Sequence, residues 1–285
     1  MKRIDDIKKS SPPDRIAEIE IIIGCATGRD RAFVLAHPEY KLTFWQYCKI
    51  SKAIRQLREG LPLAYITGQK EFFGLNFIVN RHVLIPRPET ELLVEETIKK
   101  IEKSRTIILI DIGAGSGCVP IAAIKTLKRE GTETFAIDIS RAALRVAKKN
   151  SKLRDVNIKF LRGSLLSPLI RRWKNITEGI ESIIITANLP YLTNEQFAGE
   201  PSIQHEPKTA LVADTKNGLT LYEKLFTQIA ALPNNDVKLI LLCEIDPRQS
   251  TAFSDLAKGY FPQASVEIKK DLAGRDRIIN IEVNN

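Results

Sequence analysis

Behind the stretch Ser10-Ser11-Pro12-Pro13-Asp14, which offers cap residues and prolines, apolar residues recur at helical spacing through Ile16, Ile19 and Ile23. Gly24 and Gly28 interrupt the pattern, and Leu42-Thr43 opens a further helix that runs through Ile54 and Leu57 to Gly60. A small helical bundle is therefore expected from Ser10 to about Leu63. The period then shortens. Phe72 to Val79 and His82 to Ile85 read as two short strands around a polar turn at Asn80-Arg81, and Pro86-Arg87-Pro88 stops regular structure.

From Glu89 onward strand-like apolar runs alternate with amphipathic helices. The runs are Ile107–Ile112, Thr134–Ile137, Ile158–Leu161, Ser182–Thr186, Lys238–Cys243, Ser265–Ile268 and Arg277–Val283. Helical patterns fall at Glu91–Lys103, Pro120–Arg129, Arg141–Ser151, Leu219–Leu232 and Arg248–Gly259. Such alternation implies an α/β fold with a mostly parallel sheet covered on both faces. The last two runs lack a helix between them and are expected to close the sheet as an antiparallel hairpin. The organisation read from these patterns is a helical domain over 1–70, a β-hairpin linker over 71–88 and a second domain over 89–285.

Composition adds a few limits. Apolar residues are 44% of the 285 residues and charged residues 27%, a balance that buries real cores. The net charge of +9 favours acidic partners, nucleic acid or an acidic protein surface, and is equally compatible with nothing more than solubility. Cys25, Cys48, Cys118 and Cys243 are scattered and show no CxxC pair, so neither zinc nor disulfides are indicated and a reduced, cytoplasmic setting is expected. His37, His82 and His205 do not cluster, and no metal site is expected. The opening Met1–Asp6 turns charged before an apolar run develops, unlike a signal peptide, and no apolar stretch approaches the ~20 residues of a membrane span.

Candidate chemistry lies at two strand ends. The run Ile107–Ile112 leads into Gly113-Ala114-Gly115-Ser116-Gly117 and a helix, a turn in which glycines let backbone approach a ligand closely. Asp111 sits at the strand end, where a carboxylate can meet the cationic amino end of a ligand. Asp138 ends the next strand, at roughly the 20-residue spacing that places an acid on ribose hydroxyls; the competing role is a cap or turn residue before the Arg141–Ser151 helix, with Ser140 as rival cap. These features indicate an adenosine-bearing ligand without separating NAD from S-adenosylmethionine.

The second strand end is more telling. Asn188-Leu189-Pro190-Tyr191 follows the fourth strand directly, at the carboxyl edge where open α/β sheets bind ligands. A planar NH2 is a poor nucleophile because its lone pair is delocalised. Two acceptors aimed at its N–H bonds hold it and favour the charge that develops as nitrogen attacks. Asn188 offers a side-chain oxygen, a main-chain carbonyl of Leu189-Pro190 a second acceptor, Pro190 stiffness and Tyr191 a ring to stack on the target. On spacing alone, an Asn-x-Pro turn with a buried tyrosine serves equally well.

Taken together the chain resembles the release-factor glutamine methyltransferases (HemK/PrmC family). The likeness rests on Pro62–Gly68, Glu71-Phe72-Phe73-Gly74, Leu84-Ile85-Pro86-Arg87-Pro88-Glu89-Thr90-Glu91, Asp111–Gly117, Asp138-Ile139-Ser140, His205–Leu211 and Asp271–Arg277. The resemblance implies a Rossmann-like methyltransferase domain with a seven-stranded, mostly parallel sheet, preceded by a small helical bundle that helps recognise the substrate. It implies S-adenosyl-L-methionine as cofactor, with S-adenosyl-L-homocysteine as product. The implied substrate is the glutamine of a Gly-Gly-Gln tripeptide in class I peptide-chain release factors, with no membrane and no direct nucleic-acid binding. Asn188, Pro190 and Tyr191 would be catalytic, and Asn188 to Tyr191 would hold the glutamine amide. Asp111, Gly113, Ala114, Gly115, Ser116, Gly117, Asp138, Leu165 and Asn188 would line the cofactor site.

Two departures stand out. The family usually reads Asn-Pro-Pro-Tyr where this chain has Leu189, and relatives often carry an Asp and an aromatic where it has Ser164-Leu165. Asn-Leu-Pro-Tyr is also the form of ribosomal-RNA adenine dimethyltransferases, which makes an RNA adenine methyltransferase the runner-up, with a non-catalytic nucleotide-binding module third. From Arg141 to Lys174 eleven basic side chains face one acid, Asp155, a pattern of solvated helix faces or of a patch that steers an acidic partner.

Overall fold

The computed structural model describes residues 2–128, 131–213, 217–233 and 237–283. Contacts divide the chain into two compact units, Met1–Gln69 and Lys70–Asn285. The first holds helices α1 (Ile4–Lys9), α2 (Ile16–Thr27), α3 (Arg31–Ala36), α4 (Phe44–Arg58) and α5 (Leu63–Thr67). Helix α4 opens with a reciprocal cap: Gln46 N–H donates to Thr43 Oγ1 at 3.2 Å and Thr43 N–H to Gln46 Oε1 at 2.9 Å. Ile4, Ile19, Ile23, Leu42, Ile50 and Leu57 form its core. Beside that core Glu20 is buried, and the Lys8 ammonium (2.7 Å), outweighing desolvation with help from Arg31 (3.0 Å), holds its carboxyl below the usual range.

The second unit begins with a hairpin of β1 (Gln69–Phe72) and β2 (Leu75–Ile78). Its turn is Phe73-Gly74, not Asn80-Arg81, and residues 82–85 form no strand. The reason is local. A type I′ hairpin turn requires positive φ at both central residues, and Phe73 (φ 51°) and Gly74 (φ 67°) supply it. Asn80 instead makes its own short turn, with Oδ1 accepting His82 N–H at 3.0 Å.

The remaining elements are α6 (Glu91–Glu102), β3 (Ile107–Ile112), α7 (Cys118–Leu127), β4 (Glu133–Asp138), α8 (Arg141–Arg154), β5 (Lys159–Arg162), α9 (Ser167–Ile170), α10 (Trp173–Thr177), β6 (Ser182–Ala187), α11 (Asn194–Ala198), α12 (Thr220–Ala230), β7 (Lys238–Glu244), α13 (Ser250–Tyr260), β8 (Ser265–Lys270) and β9 (Asp276–Val283). Helix α7 starts two residues before the expected Pro120; its expected end, Arg129, lies outside the described residues. The seven-stranded sheet runs β5-β4-β3-β6-β7-β9-β8. The first five strands are parallel, and β9 inserts antiparallel between β7 and β8. Every residue of β3 and β6 is buried, because helices cover both faces; this is why those strands read as unbroken apolar runs. Ile108, Ile110 and Ile112 pack with Tyr222 and Phe226 on one face, while Ile107 and Leu109 pack with Leu93 and Ile121 on the other.

After β5 the chain returns to pair β6 on the opposite side of β3. That reversal opens a crevice at the carboxyl ends of β3 and β6, the position at which a doubly wound sheet holds a ligand.

Candidate active site

Two strand ends and a turn build the crevice. Gly113 and Ala114 N–H both donate to Ile137 O, at 2.9 and 3.0 Å, which folds the glycine loop back over the end of β4. Gly113, Gly115 and Gly117 have φ of 75°, 54° and 77°. A Cβ on Gly113 would meet Leu189 Cδ2 at 3.1 Å, so the loop and the Asn-Leu-Pro-Tyr turn close on each other only because the first lacks a side chain there. Asp138 joins the two strand ends to the helix that follows: Oδ2 accepts Gly115 N–H at 2.9 Å and Oδ1 accepts Ser140 N–H at 2.7 Å. Ser140, not Asp138, caps α8, its hydroxyl taking Ala143 N–H at 3.2 Å. Burial raises the Asp138 carboxyl above the usual range, with those two N–H bonds acting against it.

The structure gathers Gly113, Gly115, Asp138, Leu165, Asn188, Leu189 and Pro190 along one cleft, with Val83, Leu84, Ile139 and Pro207 completing its walls. Other expected site residues sit outside this lining. Asp111 is buried beneath the loop, where Thr186 of the neighbouring strand donates to its Oδ1 at 2.6 Å; burial pushes its carboxyl up to about 7. Ala114 and Ser116 are buried, and Gly117 packs against Ile121 and Ala147. Tyr191 lines an adjoining groove with Asp246, Arg248 and Gln249, and burial raises its phenol above the usual value. Leu165 lines the cleft with φ of 53°, a region costly for leucine; Leu166 N–H, bonded to Gln228 Oε1 at 2.8 Å, anchors the turn.

Several residues that shape the cleft escaped sequence reasoning. Asn150 of α8, 1% exposed, takes Ile78 N–H on Oδ1 (2.7 Å) and donates to Ile78 O (3.0 Å) and Ser116 O (2.9 Å), which clamps hairpin and glycine loop together. Tyr222 OH accepts Leu189 N–H at 3.2 Å and donates to Glu244 O at 2.5 Å, fixing the turn after β6 against the end of β7. Asn188 Nδ2 donates to Thr90 Oγ1 at 3.2 Å. Glu206 is buried and accepts Ile85 N–H at 3.0 Å and the Arg87 guanidinium, tying the two family-like blocks of the sequence together. Glu244 had a signal, an acid directly after an apolar run at the carboxyl edge of the sheet; the others are defined only by tertiary contacts.

The donor set fits an adenosyl ligand. Asp138 spends one acceptor site of each oxygen on backbone and retains others for hydroxyl groups, while Leu84, Ile139 and Leu165 give an apolar slot for a flat ring. Among the described residues no cluster of His, Cys, Asp and Glu could hold a metal ion.

Comparison with known proteins agrees with this geometry. The family model described as the PrmC N-terminal domain matches residues 6–68, and that for ribosomal protein L11 methyltransferase (PrmA) matches residues 88–189. A release factor glutamine methyltransferase of Enterococcus faecalis is 34% identical over 253 residues, covering 88% of this chain and 86% of its own. That of Bacillus subtilis is 33% identical over 266 residues, covering 91% and 88%. The chain belongs to the release factor glutamine methyltransferase family. Among solved structures, the hMettl16 catalytic domain in complex with a 3'UTR hairpin aligns with TM-score 0.51 at 17% identity, over 84% of this chain and 81% of that one, a likeness of fold. As a family member the chain is a methyltransferase that uses S-adenosylmethionine, on the Rossmann-like sheet described above.

Proposed function

We propose that this protein transfers a methyl group from S-adenosyl-L-methionine to the side-chain amide nitrogen of the glutamine in the Gly-Gly-Gln motif of class I peptide-chain release factors. The observation that carries the reading is Asn188, Leu189 and Pro190 standing directly after β6, in the same cleft as Gly113, Gly115 and Asp138. When bound, the cofactor supplies an electrophilic methyl group on a sulfonium centre. Everything else falls to the chain. Asp138 would take the ribose hydroxyls, Gly113 and Gly115 would bring backbone close to the ligand, and Leu165 would flank the adenine.

Asn188 directs its Nδ2 to Thr90, so its Oδ1 is left to accept one N–H of the glutamine amide. The Leu189 carbonyl accepts the other. A leucine in place of the family's usual proline keeps that carbonyl, and Tyr222 holding Leu189 N–H replaces part of the stiffness lost. With both N–H bonds held, the nitrogen lone pair faces the methyl group, and proximity supplies much of the rate. No general base is required, because the nitrogen becomes strongly acidic once it has attacked. Pro190 completes the substrate side of the cleft, and Tyr191, which lines the groove with Asp246 and Gln249, would have to turn toward it to stack on the amide.

The helical unit is read as the part that recognises the release factor. It presents Phe44 and Trp45, 70% and 76% exposed with rings 5.8 Å apart, an aromatic pair of the kind protein interfaces use. The setting is cytoplasmic, with no direct nucleic-acid binding; among the described residues no helix is long and apolar enough to cross a membrane.

Incubation with labelled cofactor and either a release factor or ribosomal RNA tests the reading. Label is expected in the release factor, and is lost when its Gly-Gly-Gln glutamine is replaced. Asn188→Ala is expected to lower kcat by about 10²–10³, the usual loss on removing one aimed polar group from such a site. Label in RNA alone, or full activity of Asn188→Ala, would overturn it.

A further inference from the structure

We propose that Glu206 is a positioning residue for the cofactor: it pins a strap of irregular chain, residues 79–87, in place as one wall of the adenosyl cleft. The inference deepens the reading above and rests on that cleft as the cofactor's. Residues 79–87 belong to no helix or strand. Side chains must therefore supply the partners that a ladder would have given their buried backbone groups. The cleft depends on this stretch, because His82, Val83 and Leu84 line it together with Gly113, Asp138 and Leu165.

The strap is slung between two anchors. At its start, Asn150 of α8 makes two bonds to Ile78, taking its N–H at 2.7 Å and donating to its carbonyl at 3.0 Å. At its far end the Glu206 carboxyl group grips it twice. Oε2 accepts Ile85 N–H at 3.0 Å, and Oε1 accepts the Arg87 guanidinium. The Glu206 side chain is 1% exposed and that of Arg87 33%, so the acid side of the pair is closed to solvent. Hydrogen bonds between ionised partners are about twice as strong as neutral ones, and burial keeps water from competing for them.

Glu206 is itself held. It sits in an excursion that leaves the sheet after Tyr191 and closes on itself, where Leu192 N–H donates to Leu211 O and Ala213 N–H to Leu192 O, both at 2.9 Å. Glu206 N–H is bonded to Ile203 O at 2.9 Å. The residues that follow, Pro207, Thr209 and Ala210, line the cleft, whereas Glu206 does not. One carboxyl group thus joins two irregular segments that both form the wall, and acts on the ligand only through them.

Calorimetry with S-adenosyl-L-homocysteine tests the proposal and needs no methyl acceptor. In Glu206→Gln the amide oxygen can still take Ile85 N–H, but its NH2 then faces the guanidinium, donor against donor. Kd is expected to rise at least tenfold, and further in Glu206→Ala, which loses both bonds. Arg87→Met should lose at least as much as Glu206→Gln. Arg87→Lys, which keeps a charge for the pair, should stay within threefold of the parent. Partners in one contact are not additive, so Arg87→Met combined with Glu206→Gln should bind no more weakly than the weaker single variant. In methylation, Glu206→Gln should raise the cofactor KM at least tenfold while kcat at saturating cofactor stays within threefold. A folded Glu206→Gln that binds as the parent does, whatever its melting midpoint, would overturn the pin. A fall in kcat as large as the rise in KM would also overturn it, by making Glu206 a structural residue. Asp138→Ala keeps the two readings apart. If it binds S-adenosyl-L-homocysteine as the parent does, the cleft is not the cofactor's; if it alone loses binding, the cleft stands and the pin falls. A protein that gives the expected Kd pattern yet leaves release factors unmethylated would sink the substrate reading and leave the pin standing.

Discussion

Asp111 places an acid on a strand that is buried from end to end, with Thr186 donating to one oxygen. Burial outweighs that bond and lifts its carboxyl from 3.8 to about 7. A folded-state value above the unfolded one means that folding favours the protonated form. The stability is then complete below about pH 4 and drains away as pH rises through neutrality. Asp111→Asn keeps the bond from Thr186 and removes the titration. Its stability advantage over the parent, from urea unfolding, is expected to grow by about 2–3 kcal/mol between pH 5 and pH 8. Equal differences at both pH values would contradict the burial argument. Glu244 shifts in the same direction, so the parent's own drift should exceed what Asp111 alone produces.

Elements meet at Asn150. This α8 residue makes three bonds to backbone, two to Ile78 of β2 and one to Ser116 in the glycine loop. Asn150→Ala would leave buried N–H and C=O groups unpaired, at about 1–3 kcal/mol each before relaxation. The expected result is a lower unfolding midpoint together with weaker cofactor affinity by calorimetry, since the loop loses its brace. A variant that lost stability but bound cofactor as before would show that the loop is held from its other side alone. The same scale shows what a sequence can reveal. Strands β3 and β6 were legible because burial on both faces makes them continuously apolar, and α4 because Thr43 and Gln46 spell out its cap. Helices α9, α10 and α11 span one turn or little more and leave no periodicity. The hairpin turn was misplaced because a phenylalanine occupies a positive-φ position that composition rules give to asparagine or glycine. Of the site, the glycine loop, Asp138 and the Asn188 turn could be read from spacing. Thr90, Asn150, Tyr222 and Glu206 act through contacts between residues distant in the chain, which no local pattern encodes.

At the scale of the whole molecule, charge and exposed apolar surface have different distributions. The basic side chains between Arg141 and Lys174 are mostly exposed, and Lys148 and Lys149 project from α8 into solvent. The aromatic pair Phe44 and Trp45 lies instead on the helical unit. If that unit recognises the release factor, Trp45→Ala should raise KM for the release factor about tenfold and leave kcat nearly unchanged, as loss of an anchor contact outside the chemistry does. Steady-state kinetics with varied release factor decides it; an unchanged KM would remove Trp45 from the recognition surface.

The placement of β9 carries a further consequence. Because it threads between β7 and β8, β8 has no partner and β7 is paired on its β6 side alone until the residues from Asp276 onward have been made. A product stopped short of that point would display the bare flank of Leu239–Cys243, an unprotected apolar ribbon that invites a strand from another molecule. Nonsense changes late in the reading frame should thus yield insoluble material and not a trimmed, partly working enzyme, although every residue of the glycine loop and the asparagine turn would still be present.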